Sequence, residues 1–143
     1  MKRQLIIDNL KSLLSEVKTS NGYETNVGDN VISSHAFDFE DVELPLVNII
    51  EDPEGADVVD KSADIWLHDC PFRVDVITLA GIEYVRKCVN DILIAINNDI
   101  GLGDTCVDIE VGNIAISLTE LEKTYSIATI VLRIKYITKQ WRI

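Results

Sequence analysis

The densest grouping of reactive side chains is His68-Asp69-Cys70, with His35, Cys88 and Cys106 placed elsewhere in the chain. On a strand, His68 and Cys70 share a face and make half of a zinc site, which takes four nitrogen or sulfur ligands, usually as two close pairs. The second pair is missing. As a nucleophile, Cys70 or Cys88 needs a base held beside it, and either histidine is of the right type. Three cysteines and two histidines offer such combinations in any chain, however, and no nucleophile elbow or glycine-rich signature accompanies them. Small apolar side chains in a core are the simpler expectation for the cysteines.

Two further patterns have residue types suited to chemistry. The run Glu51-Asp52-Pro53-Glu54-Gly55-Ala56-Asp57, continuing to Asp60, gathers the carboxylate oxygens that calcium prefers. It lacks the ligand spacing and closing glutamate of an EF-hand, so a solvated acidic loop over residues 51–64 is expected. Gly101-x-Gly103 has no third glycine and follows a helical pattern where a phosphate-binding turn follows a strand. The sequence therefore predicts no enzyme, no cofactor and no metal.

Charge is more informative than motif. The chain of 143 residues has 24 acidic and 13 basic side chains, a net charge of −11, which excludes sequence-independent binding to phosphate backbones. Between Asp38 and Asp64 the carboxylates Asp38, Glu40, Asp41, Glu43, Glu51, Asp52, Glu54, Asp57 and Asp60 face a single cation, Lys61. A wall lined by them would repel DNA. The odd number of cysteines, with no C-x-x-C pair, argues against a disulfide framework. Apolar runs fall short of a membrane span, and the Met1-Lys2-Arg3 start leads into a polar-interrupted helix and not a signal sequence, so synthesis in the cytoplasm is expected.

These residues must be positioned by elements the periodicity reveals. Leu5, Ile6, Leu10, Leu13, Leu14 and Val17 recur at helical spacing and predict an amphipathic helix over residues 2–19, stopped by Asn21-Gly22, with Tyr23 folding back onto the core. A weak strand over 25–34 and a buried strand over 44–50, with Pro45 at its start, come next. Residues 65–79 read as a long strand, with a bend, bulge or edge position at Pro71. Ile82, Val85, Val89, Ile92, Leu93 and Ile96 predict a second helix over 82–98. Residues 105–118 form one strand or a pair, with a bulge or kink at Gly112.

The longest β pattern is 125–137, about 43 Å of extended chain. Ala128, Ile130, Leu132, Ile134 and Tyr136 make its core face, while Ile127, Thr129, Val131, Arg133, Lys135 and Ile137 make a mixed second face suited to a partner. The tail 138–143 carries Trp141 and Arg142 outward, with Trp141 an anchor on its own domain or on a neighbour. Together the elements give one α+β domain over 1–143, a mostly antiparallel β-sheet with two α-helices packed on one face.

This order and spacing resembles the tail terminator, or tail completion, proteins of tailed bacteriophages, of the lambda-like tail-tube type. The resemblance is carried by Asn21-Gly22-Tyr23-Glu24-Thr25-Asn26-Val27 after the first helix, the Leu44-Pro45-Leu46-Val47-Asn48-Ile49 strand and the acidic stretch. It continues through the helix ending Asn98-Asp99-Ile100-Gly101-Leu102 and the final alternating strand, and spans nearly the whole chain. It implies a virion protein without enzyme activity or cofactor, assembled in the host cytoplasm into a homohexameric ring at the head-proximal end of the tail tube. Its implied partners are the tail tube protein and a head-completion or neck protein, with DNA passing through the channel unbound and no membrane involved. On that reading the acidic residues named above are candidates for the lumen or tube contact, and Arg133, Lys135, Trp141 and Arg142 for the subunit interface. A head-completion adaptor, a tail-tube subunit and, more distantly, a small metal-binding protein are the alternatives.

Overall fold

The computed structural model describes residues 2–34, 42–62 and 64–139. Its elements are α1 (Lys2–Ser15), β1 (Val31–Ile32), β2 (Leu46–Glu51), β3 (Asp57–Lys61), β4 (Ile65–Thr78), α2 (Ile82–Asn98), β5 (Asp108–Glu120) and β6 (Thr124–Lys139). The sheet runs β1-β2-β4-β6-β5, and β3 adds to β4 beyond the end of β2. Every pairing is antiparallel except β1 with β2, as the predicted α+β architecture requires.

β4 and β6 pair from Ile65 opposite Lys139 to Thr78 opposite Ser126. Because successive side chains alternate between faces, this register puts Phe72, Val74 and Val76 on the same side as Ala128, Ile130, Leu132, Ile134 and Tyr136. All eight are fully buried. Ile6, Ile7, Leu10 and Leu14 of α1 and Val85, Cys88, Val89, Ile92, Ala95 and Ile96 of α2 close over them. Burial of one such large aliphatic side chain is worth about 1.5–3 kcal/mol. The helical phase of α1 differs from the expected stripe at one place: Ile7 is buried and Leu5 is exposed. Toward β5 the helical cover thins, so Ile109 is buried and Ile116 half-buried while Val111, Ile114 and Leu118 are exposed. On the opposite face Leu46, Ile77 and Tyr125 form a small second cluster with Ile32, Val42, Leu44 and Ile127 around it.

Several elements depart from the sequence expectation, each for a visible reason. The first helix ends at Ser15, not residue 19, because Asn26 Oδ1 takes the Thr19 N–H at 2.9 Å and a 3-10 turn follows at Thr19–Asn21. Gly22 then adopts the left-handed conformation expected of it, φ 92°. The 25–34 stretch yields only the two residues of β1, preceded by a 3-10 turn at Val27–Asp29. β2 begins just after a cis Leu44–Pro45 peptide.

The expected loop over 51–64 is instead a 3-10 turn, Pro53–Gly55, followed by β3, all five residues of which are exposed. Val58 and Val59 supply the β-branched character, and Ser62 closes the hairpin onto Ile65, its N–H donating to the Ile65 carbonyl at 2.9 Å. β4 runs through Pro71 without a bulge, and of the expected alternatives it is the edge position that holds locally. The Pro71 carbonyl accepts the Asp52 N–H at 2.9 Å, and in an antiparallel ladder a residue's N–H and C=O point the same way. The missing donor thus falls where β2 has ended and β3 has not begun, and Gly55 lies against the ring there. Gly112 does mark a bulge, since the register of β5 on β6 shifts between Val111 and Asn113 within one continuous strand. β6 runs through Lys139, so the first two residues of the predicted tail belong to the sheet.

Gly28 shows how tightly the second turn is seated against α1. Its N–H donates to the Val17 carbonyl at 2.9 Å, and an added Cβ would lie 2.8 Å from that oxygen, 2.9 Å from the Ser15 carbonyl and closer still to the Leu14 carbonyl. These are backbone atoms at a helix end and cannot swing aside. Gly28→Ala is expected to cost about 3 kcal/mol, read as a shift of the urea unfolding midpoint at unchanged slope.

Candidate functional site

His68, Asp69 and Cys70 do not converge. His68 and Cys70 are buried beneath the helices, whereas Asp69 lies on the opposite face. His68 stacks flat on Tyr136, with ring centroids 4.7 Å apart, and its Nε2 is 2.7 Å from the Thr138 hydroxyl. Among the described residues no three His, Cys, Asp or Glu side chains gather as a metal site needs. His35 lies outside the described residues. Burial pushes the Cys70 and Cys88 thiols up to about 11, and Cys106 likewise, so the thiolate form is disfavoured at all three. No helix of the described residues is long and apolar enough to cross a membrane.

The predicted acidic set divides. Asp38, Glu40 and Asp41 lie outside the described residues. Glu51 points to the helix side, where its Oε2 is 3.7 Å from Arg3 Nη1. Arg3 Nε also donates to the Tyr136 hydroxyl at 2.7 Å, tying the start of α1 to the end of β6. Burial, partly offset by this guanidinium, raises the Tyr136 pKa. Glu43, Asp52, Glu54, Asp57 and Asp60 are exposed. The last four follow one path, from the end of β2 through the Pro53–Gly55 turn and out along β3. β3 is thus an acidic arm on the flank of β4.

Of the predicted interface cations, Arg133 braces that arm within the subunit, while Lys135 pairs with β5. Arg133 Nε donates to Asp69 Oδ1 at 3.0 Å, and its Nη2 donates to the Gly55 carbonyl at 3.2 Å. Asp57 lies opposite Asp69 across the β3–β4 ladder, so Arg133 sits between the sheet and the root of the arm. Lys135, opposite Asp69 on the other strand, reaches Glu110 at 3.9 Å. Trp141 and Arg142 lie outside the described residues.

Sequence reasoning passed over one buried carboxylate. Asp91, 2% exposed in the middle of α2, accepts the Thr25 N–H at 2.8 Å, the Thr25 hydroxyl at 2.7 Å and the Glu24 N–H at 3.3 Å. It clamps the segment after α1 to α2. The signal was present: Asp91 falls three residues after Cys88 and four before Ala95, on the apolar stripe of the helix. A surface cleft of about 680 Å³ lies alongside, lined in part by Tyr23, Glu24, Asn90, Ile94 and Asn98. Both oxygens of Asp91 are already engaged, so it presents no free carboxylate to a ligand there.

No family model matches the sequence, and no curated protein matches it. Among solved structures, a chain from the virion of a native gene transfer agent particle is similar at 16% identity, over 78% of this chain and 81% of that one, with a TM-score of 0.46.

Two measurements test these assignments. The unfolded chain's thiols ionise near 9.0, while Cys70 and Cys88 in the fold stay protonated to about 11. In that window the unfolded state binds fewer protons, so stability is complete below it and falls as pH rises through it. Urea unfolding below and within the window should show the loss, and the double variant Cys70→Ala/Cys88→Ala should reduce it, with Cys106 and Tyr136 accounting for the remainder. Arg133→Glu should free the acidic arm: trypsin cleavage after Lys61 accelerates several-fold, while global stability falls by about 1 kcal/mol or less, as for a partly exposed ion pair.

Proposed function

We propose that this chain is a non-enzymatic structural protein of a phage-like virion, the subunit of a ring that ends the tail tube and joins it to the head or neck. The observation that carries the reading is the acidic arm: an exposed five-residue strand with Asp57 and Asp60, preceded by Asp52 and Glu54 and braced by Arg133. In a ring, six such arms would give a channel or tube-facing rim a dense negative charge. DNA phosphates are repelled by it and slide past without being held. The charge of −11 acts in the same direction. Further support comes from the element order, which keeps the pattern resembling tail terminator proteins, with helices on one side of the sheet and a mixed face on the other. The ring needs no cofactor, and its partners are its own copies, the tube protein and a neck protein.

Light scattering and negative-stain imaging of the purified chain test this directly. Closed rings with a central hole are expected, and they should cap the ends of isolated tail tubes. A strict monomer that leaves tube ends open at high concentration would sink the reading. Open-ended polymerisation into tubes would assign the chain to the tube itself.

A further inference from the structure

The outer side of β5 is an unusually unprotected sheet edge. The strand has thirteen residues and, among the described residues, pairs only with β6. Its centre, Gly112-Asn113-Ile114-Ala115-Ile116-Ser117-Leu118-Thr119, carries no charge and no proline, the devices that normally keep an edge from recruiting another strand. The bulge at Gly112 is the one interruption of its pairing with β6. On the helix side of this edge Val111, Ile114 and Leu118 are 47%, 39% and 54% exposed. Both flanks are acidic, with Asp108 and Glu110 at one end and Glu120 and Glu122 at the other. The nearby cations are Arg133, opposite Glu110 in the ladder but turned to Asp69 and the Gly55 carbonyl, Lys135, 3.9 Å from Glu110, and Lys123 in the turn into β6.

We infer that the β5 edge takes up, by strand addition, an extended segment of a different protein in which an alternating apolar run is flanked by lysine or arginine. The main chain of such a segment completes the ladder, its apolar side chains cover Val111, Ile114 and Leu118, and its cations meet the acidic flanks. A second copy of this chain is a poor occupant. Of the other open edges among the described residues, β1 has two residues and β3 carries Asp57 and Asp60. β5 against β5 brings acidic flanks together between two molecules of charge −11. The inference does not rest on the ring.

The test uses the full chain and two synthetic peptides, each an alternating Val-Thr run, one flanked by lysines and the other by glutamates. Binding is followed by amide chemical shifts and calorimetry at about 0.01 M salt, where the Debye length is about 30 Å. The lysine peptide is expected to bind roughly tenfold or more tightly than the glutamate peptide, with the advantage shrinking at high salt. Its shifts should centre on residues 112–119. Val111→Lys and Leu118→Lys, at exposed positions and checked for an unchanged melting transition, should each weaken it. Absence of lysine-peptide binding, equal binding of the two peptides, or shifts away from β5 would overturn the proposal. So would self-association of the wild-type chain that Leu118→Lys dissolves.

Discussion

The register between β4 and β6 is the constraint on which the rest of the molecule depends. Side chains on a strand alternate with a period of two, so a slip of one residue would exchange the two faces of the longest pairing in the sheet. Ala128, Ile130, Leu132, Ile134 and Tyr136 would leave the core, and Arg133 and Lys135 would enter it. Burying an unpaired charge costs several kcal/mol, so the correct register is specified both by what it buries and by what it keeps wet. The two helices, the Asp91 clamp and the acidic arm are fastened to a scaffold fixed in this way.

Periodicity made the scaffold legible. The alternation of β6, the helical stripe of α2 and the glycine at the β5 bulge each have a local signature, and the structure follows all three. What stayed hidden depends on partners distant in sequence. Val58 and Val59 make a strand only because β4 extends past β2 and offers them a ladder, and nothing near residue 58 announces that. Pro71 left a bend, a bulge and an edge position open, and the choice of a local edge follows from where β2 ends and β3 begins. Of the candidate site, the cluster of acidic residues was readable from composition. Their division into an exposed arm and a Glu51 paired with Arg3 was not, because it follows from which face each residue takes in the pairing of β2.

The cations show the same limit. In a chain with an acidic surplus, Arg133 and Lys135 on a mixed strand face suggest an external partner. Both find carboxylates at home, Asp69 and Glu110, across neighbouring strands. Arg133 reaches further, to a backbone carbonyl at the turn, and so links the central sheet to an appendage. An exposed ion pair contributes little to global stability, so the link governs the arm's orientation more than the persistence of the fold.

That β3 contributes no buried side chain has a consequence for how such a chain diversifies. The core is assembled from the other strands and the helices, and the arm is borrowed backbone pairing with its side chains facing outward. Substitutions along Asp57–Lys61 are therefore nearly free of folding cost. The arm's chemistry can drift with whatever surface it meets, while the scaffold that presents it stays the same.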